Sequence, residues 1–277
     1  MGNLSGVVAF LLICVLLAGC SAPGAAKTPA PKMSVTAPSA PIEATSKNPR
    51  TTTGSTASIP VTISEAKLLA ASLVFGECPR WHDNKLWFSD MHAHQVMTVD
   101  LEGKLEKIVE VPGQPGGLGW LPDGRLLVVS MTDKKLLRLD PGGLAQVADL
   151  SQMASGMCND MVVDAQGRAY VGNYGLNTDW QQFMVGPAEI VMVAPNGEMR
   201  VVATNLIMPN GAVITPDGRT LIVAETQRSC LTAFNIEADG SLTGKRIWAE
   251  LLGTGIYPDG ICRDVEGAIW AASVPTM

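Results

Sequence analysis

Glu77, Asn159, Asn210 and Asp259 carry the side chains with which this chain could do chemistry. All four stand at one place in a repeat. Stepping back eight residues from the turn residues Asn84, Gly124, Gly167, Gly218 and Gly267 reaches Gly76, Gly116, Asn159, Asn210 and Asp259, and Glu77 follows Gly76 by one. A lone Asn-Gly or Asp-Gly pair is ordinary turn chemistry. Four oxygen donors in one register point instead to a bound cation. Two carboxylates and two amides, with no Cys or His among them, suit a hard ion. Ca²⁺ fits best, with Mg²⁺, Mn²⁺ and, less well matched to these donors, Zn²⁺ as alternatives. Such an ion polarises a carbonyl and acidifies water. Asp259 is the candidate general base, although a neighbouring cation keeps a carboxylate weakly basic. Asp160 either orients Asn159 or caps a surface turn.

Other chemistries find little support. The three histidines are His82, His92 and His94. His92 and His94 form a His-x-His pair with no evident third ligand, which reads as a solvated rim. His82 replaces the proline of the other turns and reads as structural. No nucleophile elbow, phosphate loop or dinucleotide fingerprint occurs in a convincing context. A net charge of -6 and 5% aromatic residues argue against nucleic acid as a partner. Of Cys78, Cys158, Cys230 and Cys262, three fall in inner-strand segments and read as small buried thiols, with no pairing assigned.

The elements that position these donors are short strands. A turn signal followed by a β-rich run occurs five times, beginning at Trp81, Leu121, Asp164, Thr215 and Asp264. The turn residues are spaced 40, 43, 51 and 49 apart. A period in the forties with several strands per unit predicts an all-β propeller, whose equivalent positions surround a central axis. The strand before each turn is taken as the innermost.

The segments Gly76-Glu-Cys-Pro-Arg-Trp81, Cys158-Asn-Asp-Met-Val-Val-Asp164, Pro209-Asn-Gly-Ala-Val-Ile-Thr-Pro-Asp-Gly218 and Tyr257-Pro-Asp-Gly-Ile-Cys262 together resemble the senescence-marker-protein/gluconolactonase/luciferin-regenerating-enzyme family. The resemblance implies a six-bladed β-propeller with one catalytic divalent metal, usually Ca²⁺, and hydrolysis of lactones. It implies Glu77, Asn159, Asn210 and Asp259 as metal ligands. Related phosphotriesterase propellers share this four-residue pattern. Lactonases of polar sugars often carry an Arg two residues before the first Asn. Here Met157 stands there, which predicts a substrate pocket lined by Met157 and Asn159 and a less polar lactone. Only ten residues follow Gly267, so the ring is expected to be truncated near the fifth blade.

Residues 7–18 form an apolar run of twelve, too short to span a bilayer and right for a signal peptide. The run leads into Leu17-Ala-Gly-Cys20, which resembles a bacterial lipobox. The expectation is a lipoprotein-type signal at 1–20, export to the cell envelope and membrane attachment through lipidated Cys20. Residues 21–67, rich in Pro, Ala, Ser and Thr, read as a disordered linker, and 68–277 as the propeller. Two functions fit this reading: a metal-dependent hydrolase of lactones or related esters, and a non-catalytic, metal-pinned propeller that binds a ligand or partner.

Overall fold

The computed structural model describes residues 68–175 and 186–274. The expected signal, the linker and Cys20 lie outside the described residues. The regular structure of the described chain is antiparallel strand apart from one three-residue 3-10 turn, Met91–Ala93. The first sheet holds β1 (Gly76–His82), β2 (Lys85–Asp90), β3 (Gln95–Val99) and β4 (Leu105–Glu110). The second holds β5 (Pro115–Trp120), β6 (Leu126–Ser130), β7 (Lys135–Asp140) and β8 (Gly143–Asp149). The third holds β9 (Cys158–Val163), β10 (Ala169–Asn173), β11 (Pro187–Val193) and β12 (Met199–Ile207). The fourth holds β13 (Pro209–Ile214), β14 (Thr220–Glu225), β15 (Cys230–Ile236) and β16 (Leu242–Glu250). A two-stranded sheet of β17 (Tyr257–Arg263) and β18 (Ile269–Val274) follows. Each sheet is a meander in chain order, as a propeller blade requires. Four blades are therefore four-stranded, and the fifth repeat is a hairpin.

The turn residues behave as their types dictate. Asn84, Gly124, Gly167, Gly218 and Gly267 all have positive φ, between 59° and 94°. Four of these turns close with a bond from the glycine N–H to the carbonyl three residues back, at 2.8–3.2 Å. The first differs. Asp83 and Asn84 both have positive φ and alone separate β1 from β2, the geometry of a mirror-image two-residue hairpin turn.

The blades pack face to face, and strand alternation sorts each second strand between two cores. In β6, Leu126 and Val128 join Val96, Val111 and Leu118. Leu127 and Val129 point the other way and join Met161, Val171 and Val191. In β14, Leu221 and Val223 pack with Tyr170, Ile190 and Phe234. Ile222 and Ala224 pack with Leu231 and Ile261. Covered on both faces, these strands read as unbroken apolar runs. The first strands touch in succession, β1 with β5, β5 with β9, β9 with β13 and β13 with β17, so they are the innermost strands. The outermost strand β16 is exposed along most of its length.

Candidate metal centre

Each first strand loses register with the second near its beginning. The slips run from Pro115 to Leu118, Cys158 to Met161, Pro209 to Ala212 and Pro258 to Ile261. Inside them lie Gly116-Gly117, Asn159-Asp160, Asn210-Gly211 and Asp259-Gly260. A bulge of this kind re-aims a side chain that a regular strand would turn into a blade interface. In the first blade the slip runs from Glu77 to Arg80 and contains Cys78 at φ 51°. There too β1 runs three residues against two on β2, so the bulge holds Cys78 and Pro79, and Glu77 stands just before it, paired with Ser89. Glu77 directly follows the residue paired with the end of β2, as Asn159 and Asn210 follow the residues paired with the ends of β10 and β14. Counted from the bulge instead of the strand end, Glu77 is still one residue out of step, because it precedes its bulge while Asn159 and Asn210 open theirs.

The glycines beside these donors are not turn glycines. A Cβ on Gly211 would stand 2.4 Å from the Ile261 N, and one on Gly117 would stand 2.4 Å from the Met161 N. Both let the next inner strand approach closely.

Glu77 feels the charge of Asp259, and Asn210 hydrogen-bonds Asp259, which brings three of the four expected ligands into one neighbourhood. Burial is the main cause that pushes Glu77 up to about 8, and the negative charges of Asp259 and then Asp160 add to it. Burial, then Asp160, raises Asp259 to about 6, while a hydrogen bond from Asn210 opposes the rise. The Tyr174 hydroxyl is pushed well up by burial and by the same acidic groups, Glu77 first among them. Asn159 and Asp259 are buried, at 5% and 8% exposure. The amide nitrogens of both asparagines donate to the protein, Asn159 Nδ2 to the Pro209 carbonyl at 3.4 Å and Asn210 Nδ2 to the Thr226 hydroxyl at 3.3 Å. Their acceptor ends, the Oδ1 atoms, are then the ends left to meet a cation.

Asp160 is not a surface cap. It is 3% exposed, accepts from the Met161 N–H at 2.7 Å, and pairs with Arg80 at 2.5 Å. Arg80 Nη2 also donates to the Met161 carbonyl at 3.0 Å. One guanidinium against Glu77, Asp160 and Asp259 leaves two negative charges when all are ionised, the charge one divalent ion offsets. The donor set fits such an ion: two carboxylates, two amide oxygens and no soft ligand. Among the described residues, no group of three or more His, Cys, Asp or Glu side chains is placed to hold a metal ion, so the proposed set relies on the two amide oxygens as well as the carboxylates.

The remaining sequence readings divide. His82 is structural: its ring stacks on Trp120 at 3.9 Å, and its carbonyl accepts from Trp87 Nε1. His92 and His94 are exposed; His92 lies against Phe75 and Gln114, and His94 Nδ1 meets the Pro112 carbonyl. The four described cysteines are free thiols, three buried and Cys262 exposed, so Cys262 departs from the buried reading. Met157 is half-buried just outside β9, and its carbonyl accepts from the Tyr174 N–H at 2.9 Å. Sequence reasoning missed Arg80, Tyr174 and Thr226. Arg80 stood within a quoted motif, but nothing in its neighbours in sequence points to Asp160, eighty residues away.

The family described as the SMP-30/gluconolactonase/LRE-like region matches residues 75–276. The chain belongs to this family. Among similar relatives of the SMP-30/gluconolactonase/LRE-like family is 6-deoxy-6-sulfogluconolactonase of Pseudomonas putida, 26% identical over 207 residues, covering 72% of this chain and 68% of that protein. Diisopropyl-fluorophosphatase of Loligo vulgaris is 25% identical over 180 residues, covering 58% and 57%. The crystal structure of regucalcin from Agrobacterium tumefaciens, described as a calcium-binding protein, has a TM-score of 0.62 at 23% identity, covering 73% of this chain and 68% of that one. The fold is thus shared, and the lactonase names of relatives at low identity point to lactone hydrolysis.

Proposed function

We propose that this protein is a metal-dependent lactonase whose divalent cation, Ca²⁺, is held by Glu77, Asn159, Asn210 and Asp259. The observation that carries the reading is the pair of carboxylates raised by burial and by nearby negative charge, while the cation beside them, Arg80, is committed to Asp160. When bound, the ion polarises the lactone carbonyl and acidifies a water. The chain's own work is the rest. Asn159 and Asn210 present amide oxygens, Asp160 and Arg80 hold the β1 and β9 strands at fixed separation, and Asp259 stands ready to accept a proton as general base. Met157 and Asn159 border the substrate, and the apolar Met157 favours a less polar lactone over gluconolactone.

The decisive experiment is turnover of a lactone panel before and after chelation, with Ca²⁺, Mg²⁺, Mn²⁺ and Zn²⁺ added back. Activity lost on chelation and restored by Ca²⁺ supports the reading. A chelator that lowers the melting temperature while no lactone is ever turned over supports the non-catalytic, metal-pinned propeller. The similarity to diisopropyl-fluorophosphatase makes a phosphotriester arm of the panel worthwhile, because four oxygen donors around a hard cation serve either ester.

We further infer that the described sheets belong to a six-bladed ring, and that the chain is an exported lipoprotein acylated at Cys20. Both rest on the family resemblance and the lipobox, and both concern parts of the molecule beyond the site.

A further inference from the structure

The two amide ligands are oriented by the blade that follows each of them. Asn159 Nδ2 donates to the carbonyl of Pro209, the residue just before Asn210. The corresponding carbonyl for Asn210 is that of Pro258, just before Asp259. Asn210 meets it through a relay: its Nδ2 lies 3.3 Å from the Thr226 hydroxyl, and that hydroxyl donates to the Pro258 carbonyl at 2.7 Å. Thr226 is 1% exposed and begins the turn after β14. Its own N–H donates to the Met208 carbonyl at 3.1 Å, and its carbonyl accepts from Ser229 N–H at 3.1 Å. Glu225 beside it is 0% exposed, and its carboxylate accepts from the Ile207 N–H at 2.8 Å and from the Thr232 hydroxyl. The hydroxyl is therefore held on a fixed backbone. With its proton committed to Pro258, its oxygen can only accept, so it takes the NH₂ end of Asn210 and rejects the carbonyl end.

We propose that Thr226 is a positioning residue that selects the amide orientation of Asn210 and so presents Oδ1 to the divalent cation. The proposal rests on the ligand set given above. An asparagine amide is nearly symmetric in shape, and the Asp259 carboxylate that also accepts from Asn210 is itself a proposed ligand, so Thr226 is the neighbour outside the ligand set that keeps the NH₂ end from turning to the ion.

The test compares Ca²⁺ affinity by calorimetry for the wild type, Thr226→Val, Thr226→Ser and Asp259→Asn, with terbium luminescence lifetimes as a count of bound waters. Thr226→Val should weaken Ca²⁺ by about tenfold, the loss of one buried hydrogen bond. It should also add about one water to bound Tb³⁺, which replaces the missing oxygen. Thr226→Ser, which keeps the hydroxyl, should match the wild type. In an Asn210→Asp background Thr226→Val should change affinity by less than about twofold, because a carboxylate presents oxygen either way.

If Asp259→Asn loses affinity while Thr226→Val binds like the wild type, the positioning role is wrong and the ligand set stands. If Thr226→Ser binds as poorly as Thr226→Val, the residue acts by packing and the proposal falls. Should Thr226→Val not fold, Thr226→Ala is read against Thr226→Ser in the same way. Wild-type affinity in Asp259→Asn would overturn the ligand set and this inference with it.

Discussion

At the scale of single residues, charge decides most of what is expected. Asp259→Ala and Glu77→Gln each remove one of two anionic donors. Each should weaken Ca²⁺ by about a hundredfold or more by calorimetry, and Asp259→Ala should abolish lactone turnover. Unchanged affinity in both would remove the site from consideration. The same carboxylates set a pH dependence. In the metal-free chain Glu77 is raised from 4.5 to about 8 and Asp259 from 3.8 to about 6, so the native state holds these protons more tightly than the unfolded one. Stability present below about pH 4 is then lost as pH rises through 6 to 8. The melting temperature in chelator should fall over that range. Ca²⁺ competes with the same protons, so its affinity should rise over the same window. A chelated protein that gains stability from pH 5 to 8 would contradict the assignment. Met157→Arg should shift preference toward sugar lactones relative to an alkyl lactone, measured as a ratio of kcat/KM values. An unmoved ratio would show that residue 157 does not touch substrate.

At the scale of the strand, the site depends on how closely inner strands approach. Gly211→Ala would place a methyl 2.4 Å from the Ile261 N and 2.7 Å from the Asp259 carbonyl oxygen, both backbone atoms that cannot step aside alone. Pushing β17 away should cost about 1–3 kcal/mol in urea unfolding and also weaken Ca²⁺, since Asp259 moves with its strand. Gly218→Ala is the contrasting case. The site has open space, but its φ is +71°, so about 1–2 kcal/mol of backbone strain is expected with Ca²⁺ affinity unchanged. Equal metal affinities in the two variants would mean that strand separation does not govern the site. The turns themselves were legible from sequence, because a positive φ is a local demand that Asn and Gly announce. The bulges were not. Two residues opposite one leave no compositional mark, and only the pairing of Pro209 with Glu225 and Ala212 with Val223 reveals them.

At the scale of the whole molecule, the expected anchor lies outside the described residues. Cys20→Ser should move the protein from the membrane to the soluble fraction on centrifugation, because acyl chains at Cys20 are the proposed attachment. Continued sedimentation with membranes would exclude the lipobox reading. The sequence by itself determined the blade repeat and its turns and nominated four oxygen donors, since each rests on residue types at short, fixed spacings. The structure covers β6 and β14 on both faces, as a strand apolar at successive residues has no side to offer water. Tertiary structure alone decided which charges face one another. Arg80 meets Asp160, Thr226 meets Asn210 and the Pro258 carbonyl, and Tyr174 joins the acidic cluster. Arg80 with Asp160, Thr226 with Pro258 and Tyr174 with Glu77 join separate blades, while Thr226 with Asn210 lies within the fourth. Their energies depend on burial and on distances of a few ångströms, which no spacing along the chain encodes.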